Sequence, residues 1–134
     1  MALRIVRLGS PRAPGEGPRI GTVRRPPRGV PKADFARLDW YDSWLPELAP
    51  SAEVVKLGQA AQDGDEAAWT VFAKRYRAEM AAPGAAHTLD LLATLSHHAA
   101  FSIGCYCANE ARCHRSLLRG LLAERGAALL DGAA

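Results

Sequence analysis

The segment 99–107, AAFSIGCYC, constrains the fold more than any other part of this chain. It is almost continuously apolar, contains aromatic and β-branched side chains, and is too short for an ordinary helix, so it reads as a strand buried on both faces. Such a strand belongs in the middle of a sheet. It is also preceded and followed by helical patterns, the arrangement expected when parallel strands are joined through helices.

The rest of the chain agrees. Residues 3–8 alternate Leu3, Ile5 and Val6 with Arg4 and Arg7 before Gly9-Ser10-Pro11 stops them, and residues 20–23 form a second short strand. Pro26, Pro27 and Pro31 exclude regular structure and leave a stiff basic loop. Phe35, Trp40, Tyr41 and Trp44 lie in a stretch that reads as short helical turns laying rings over the core. Ser51 is a good cap for a helix reaching about Gln62. Asp65 caps another with Trp69, Phe72, Ala73, Tyr76 and Met80 on one stripe. Pro83-Gly84 ends that helix, Leu89, Leu92 and Ala93 mark a further one to about His97, and Leu117, Leu118, Leu121 and Leu122 define a last one ending near Gly126. The expected fold class is α/β, a small and mainly parallel sheet flanked by helices. It forms a single domain over residues 1–126, with 127–134 as a fraying C-terminal tail.

A chain of 134 residues accommodates one domain of ordinary size, and its 49% apolar content suits a globular core. Arg4 and Arg7 interrupt the opening apolar run, so no signal peptide is expected, and no apolar stretch approaches the roughly 20 residues that span a bilayer. Three cysteines, Cys105, Cys107 and Cys113, are an odd number within nine positions, which suits a reducing compartment, and a cytoplasmic location is expected. The net charge of +3 is unevenly spread: residues 1–32 carry eight cationic side chains against the single acid Glu16. This asymmetry favours an anionic partner, a small molecule or nucleic acid, near the N-terminal segment, or else a set of solvated arginines. No membrane partner is expected, and neither a cofactor nor an oligomeric state is legible.

Chemistry concentrates at the end of the last strand. Cys105 and Cys107, two apart, are expected to share a strand face, and Cys113, His114 and Arg115 to open the following helix. The carboxyl ends of parallel strands are where ligands sit in open α/β sheets. Arg112, Arg115 and Arg119 follow helical spacing, and the first two oppose the helix dipole, so an anion beside them would be favourable. The candidate ligand-binding residues are therefore Arg25, Arg28, Cys105, Arg112 and Arg115. A cysteine at a helix start among arginines also has its thiolate favoured. Cys113 with His114, or Cys107, could thus serve a thiol-dependent enzyme in redox chemistry or sulfur transfer, the latter through the six-residue segment Cys107 to Arg112. Cys105, Cys107, Cys113 and His114 offer a zinc-binding structural module as a further alternative. The spacing is poor for it, since adjacent helical residues point about 100° apart, and no metal ligands are assigned. Cys113 and His114 could equally border the core.

The order Arg24-Arg25-Pro26-Pro27-Arg28-Gly29-Val30-Pro31-Lys32, Trp44-Leu45, Leu48-Ala49-Pro50-Ser51, Phe72…Arg75-Tyr76-Arg77…Glu79 and Cys105…Cys113-His114-Arg115 resembles the YeaO-like family, domain of unknown function 488. The resemblance covers about residues 3–126. It implies a compact α/β domain of bacterial or archaeal type whose marked residues gather from the basic loop and the Cys-His-Arg turn, and it supplies no reaction. Pro26 stands where the family commonly has a tryptophan before Pro-Arg-Gly.

Overall fold

The computed structural model describes residues 2–130. Four strands, β1 (Leu3–Arg7), β2 (Arg19–Gly21), β3 (Ser43–Trp44) and β4 (Phe101–Cys105), form one sheet in the order β1-β4-β2-β3, and every pairing is parallel. β4 is central and buried throughout, as its apolar sequence requires. It pairs Leu3 with Phe101 through Arg7 with Cys105 on one side, and Arg19 with Ser102 through Gly21 with Gly104 on the other.

Helices α1 (Ala52–Gln62), α2 (Glu66–Met80), α3 (Pro83–Leu95) and α4 (His114–Glu124) bury the apolar stripes that their sequences carry. Ser51 and Asp65 cap α1 and α2 as expected, each accepting a backbone N–H three residues on. Phe72, Tyr76 and Met80 of α2, Leu89 of α3, and Leu117, Leu118 and Leu122 of α4 share one core with Leu3, Ile5, Phe101 and Ile103 of the sheet.

Four local readings change. Pro83 does not merely stop α2: it is the first residue of α3, where its missing N–H costs nothing. The aromatic segment supplies a short edge strand, β3, besides single 3-10 turns at Lys32–Asp34 and Pro46–Leu48. Two residues are too few to show a period. β4 stops at Cys105, so Cys107 lies in the loop beyond it. Finally, residues 127–130 are held against β1: the Leu3 N–H donates to Ala128 O, the Leu130 N–H to Leu3 O, and Leu129 bridges Leu3 in parallel. The remainder of the expected tail, 131–134, lies outside the described residues.

The sheet face opposite the helical core is held by charge. Arg19 is fully buried and grips Glu16 with two bonds of 2.8 and 3.0 Å, while its remaining nitrogen donates to Ser10 O and Asp39 O, each at 2.8 Å. Ser102 of β4 donates its hydroxyl to Glu16 at 2.7 Å. The turn carrying Glu16 crosses the start of β4 so closely that a Cβ on Gly17 would lie 2.0 Å from Ala100 O, and its φ of +80 is left-handed. Only glycine fits there.

Burial alone would raise the Glu16 carboxyl, but hydrogen bonds from Arg19, Ser102 and the Ala13 N–H outweigh it and hold it at about 2. Because the folded value lies below the unfolded one, this stabilisation is complete above pH 4.5 and disappears as pH falls towards 2. Its size is about 3 kcal/mol. Glu16→Gln, which leaves Arg19 buried without a counter-charge, should destabilise the fold by about 3–5 kcal/mol at neutral pH. Urea unfolding at pH 7 and pH 3 tests this, since the gap between wild type and variant must narrow in acid; a constant gap contradicts it.

Candidate functional site

Because the strands are parallel, β1, β2 and β4 all end at one edge, and the loops that follow them enclose a groove of about 880 Å³. Cys105, Cys107, Cys113 and His114 line it together with Arg24, Arg25 and Arg28 of the basic loop, Lys56 of α1, and Arg112. The basic loop is tied down at both ends. Arg24 donates to Pro50 O at 3.0 Å, Trp44 donates its indole N–H to Val23 O at 2.7 Å, and the Tyr106 hydroxyl donates to Arg25 O at 2.9 Å. Six cationic residues, Arg7, Arg24, Arg25, Arg28, Lys56 and Arg112, line the groove, and none of its lining residues is acidic. Among the described residues only Arg112 of the six has a carboxylate partner, Glu66, gripped by two bonds of 3.0 Å.

The sulfur cluster forms because β4 delivers Cys105 to the start of α4. Cys105 Sγ and Cys113 Sγ are 2.8 Å apart, and Cys113 Sγ is 3.6 Å from His114 Nδ1. Cys113 is the cap residue of α4, with extended backbone at φ −131 and ψ 156, so it is not a helical neighbour of His114. The donor atoms of Cys105, Cys113 and His114 all lie within 4.8 Å of one another. His114 Nε2 lies 2.7 Å from Thr22 O. A carbonyl only accepts, so Nε2 carries the proton and Nδ1 presents its lone pair towards Cys113.

The arginines separate. Arg112 precedes α4 in a 3-10 turn and rests over the Trp69 ring at 5.4 Å, while Arg119 is held by Glu110 at 2.9 and 3.0 Å. Arg115 is turned from the groove and buried, donating to Cys107 O and lining a second hollow with Arg4, Arg7 and Glu110. The expected row of Arg112, Arg115 and Arg119 on one helix face is therefore not formed, because Arg112 is outside the helix and acids claim the two outer members. The groove unites Arg25, Arg28, Cys105, Arg112, Cys113 and His114, but not Arg115. No carboxylate pairs with Arg115 among the described residues, and its buried Nε has no partner.

The three thiols share protons unequally. Proton sharing with Cys105 and Cys113 draws the Cys107 thiol well down from its ordinary range, against the opposing effect of burial, and the charge of Arg115 assists. The same sharing, with burial, pushes Cys105 up. For Cys113 the bond with Cys105 favours the thiolate, but Cys107 and burial outweigh it and leave the group at about 11. The second half of the segment Cys107 to Arg112 uses its backbone donors within the loop. The Ala111 N–H donates to Asn109 Oδ1, that of Arg112 to Asn109 O, and that of Cys113 to Glu110 O, so those donors are spent locally.

Sequence reasoning missed Lys56, Gln62 and Thr22. Gln62 fastens the loop after β4 by donating to Asn109 O and Arg112 O, each at 2.8 Å. Lys56 lies four residues after Ala52 and three before Gln59, one side of α1 at helical spacing. That spacing becomes informative only when the groove is known.

Burial lowers His114 to about 4, the Thr22 carbonyl and Cys107 opposing and Arg115 adding to the effect. The ring should therefore stay neutral and Nε2-protonated from pH 8 down to pH 5. Long-range proton–nitrogen NMR correlations of the imidazole should show one unchanging tautomer over that range; a midpoint between pH 6 and 7 would contradict the assignment.

Searches of curated proteins and of solved structures found no match. No helix of the described residues is long and apolar enough to cross a membrane. The family DUF488-N3a, described as the active DUF488-N3 subclade, matches residues 3–126, the span that contains the whole sheet, all four helices and the sulfur cluster. The chain belongs to the DUF488 family, in keeping with its YeaO-like resemblance.

Proposed function

We propose that this protein binds a small phosphate-bearing molecule in the groove at the carboxyl edge of its sheet. The observation that carries this reading is the groove's lining, six cations with no acid, in which Arg25, Arg28 and Lys56 lack carboxylate partners among the described residues. Cations gathered without counter-charge repel one another, and a dianion relieves that repulsion while accepting forked bonds from guanidinium groups. The volume of about 880 Å³ lies in the range of small-molecule sites, which favours a metabolite over a nucleic-acid strand. Calorimetric titration with phosphorylated metabolites and with short single-stranded oligonucleotides tests the reading. One class of phosphorylated metabolite should bind, weakening as salt is raised, and Arg25→Ala with Arg28→Ala should weaken it by on the order of 10-fold or more. Binding of oligonucleotides alone, or equal affinity for wild type and the double variant, would sink the proposal.

A thiol-dependent reaction on that ligand is a second reading, favoured by Cys107. It is the half-buried sulfur of the three, beside the cationic wall, whereas Cys105 and Cys113 are buried against each other. Mass-spectrometric mapping after brief alkylation at pH 7 should find Cys107 modified first. Negatively charged iodoacetate should also gain on neutral iodoacetamide relative to free cysteine, because the groove attracts anions. Uniform slow labelling of all three thiols would remove this reading.

A further inference from the structure

We propose that Cys105, Cys113 and His114 form a three-donor site for a soft divalent metal ion of the zinc type, with its fourth coordination position open to the cationic groove. The inference stands independently of the phosphate reading. Two thiolates and one imidazole are a donor set that zinc accepts when a fourth position is left for water or substrate.

Three observations carry it. First, tetrahedral zinc with bonds of about 2.3 Å to sulfur and about 2.0 Å to nitrogen sets neighbouring donors roughly 3.5 to 3.8 Å apart. Cys113 Sγ and His114 Nδ1 stand at 3.6 Å. The two sulfurs, 2.8 Å apart, need to separate by about 1 Å to receive the ion. Second, the objection raised by adjacent ligands on a helix falls away, because Cys113 is the extended cap and only His114 is helical. The two side chains can therefore converge. Third, Thr22 O holds the Nε2 proton, which leaves the Nδ1 lone pair facing the sulfurs. A second ring nitrogen donating to a carbonyl is the supporting contact that metal-bound histidines use to fix tautomer and orientation.

The surroundings are consistent with this assignment. All three donors line the groove, so an ion bound there would face its cations and any anion among them. Arg115, buried without a carboxylate among the described residues, donates to Cys107 O next to the cluster and places positive charge where two thiolates would form. Cys107 is not among the donors that all lie within 4.8 Å of one another, so it is not assigned as a ligand.

The test uses the full chain, reduced and stripped with a chelator, titrated with cobalt(II) and then zinc(II). One equivalent of cobalt should give the strong visible bands of a tetrahedral site with thiolate charge transfer, and zinc should displace it. Cys113→Ser should abolish the charge-transfer band or weaken zinc binding by more than about 100-fold, beyond the roughly 10- to 100-fold loss of a supporting contact. Cys107→Ser should leave the spectrum unchanged; a reduced band in that variant overturns the open fourth position. Should a serine variant fail to fold, alkylation of the wild type decides instead: zinc must protect Cys105 and Cys113 while leaving Cys107 reactive. No tetrahedral cobalt spectrum together with no zinc protection overturns the site. Phosphate binding is titrated separately on the metal-free protein, so failure of one proposal is distinguishable from failure of the other.

Discussion

The position of β4 is the constraint on which the rest of this structure depends. A strand paired in parallel on both sides must bury both faces, and five consecutive buried residues satisfy that demand. Its neighbours then run in the same direction, so the chain leaves all three strands at one edge. Cys105 is the last residue of β4 and Cys113 caps the helix that follows, and the two sulfurs meet because the intervening loop is short and folded on itself by Asn109 and Gln62. The groove is thus a consequence of topology, and its chemistry a consequence of which residues the chain carries at strand ends.

The same topology divides the basic residues into two populations with different physics. Arg12 and Arg19 lie in the basic N-terminal third yet act as structure: Arg19 binds Glu16 and two carbonyls under the sheet, and Arg12 pairs with Asp39 and Asp42. Arg25 and Arg28 sit on a loop whose prolines restrict its backbone, and no carboxylate neutralises them among the described residues. Arg19 is removed from water, where an unpaired charge is costly, and Arg12 is half-buried against two acids, so both have partners. The second population remains hydrated, and its charge is available to a ligand.

Much of the fold was legible in the sequence, for reasons tied to particular residues. The long apolar run around Phe101 and Ile103, the stripe from Trp69 to Met80 and the caps Ser51 and Asp65 are strong signals, because periodicity and capping act over a few residues. β3 was not legible, since a two-residue strand has no period, and neither was the docking of Leu129 beside Leu3, which depends on an edge set by the rest of the sheet. At the site, strand direction led to Cys105, Cys113 and His114, while the charge of the basic loop and the family resemblance added Arg25 and Arg28, and all five line the groove. The loss of Arg115 from that group was not legible. Helical spacing ties residue 115 to 112 and 119, but it carries no information about where the helix begins or which side the sheet covers. Arg112 falls in the preceding 3-10 turn, and one residue of phase decides whether a guanidinium faces water or the interior.

That burial of Arg115 gives the thiol cluster its electrical character. A cation withdrawn from water beside three sulfurs, with Glu110 engaged by Arg119, finds its balancing charge most directly in the Cys107 thiolate. His114 cannot supply a positive charge in return, because burial keeps it neutral at physiological pH. A neutral buried imidazole whose Nδ1 faces the Cys113 sulfur, beside two thiols that burial and their neighbours keep protonated, is a pairing of soft donors rather than an ion pair. Strand direction and the extended cap of α4 thus bring two sulfurs and an imidazole nitrogen within 4.8 Å of one another at the lining of a cationic groove.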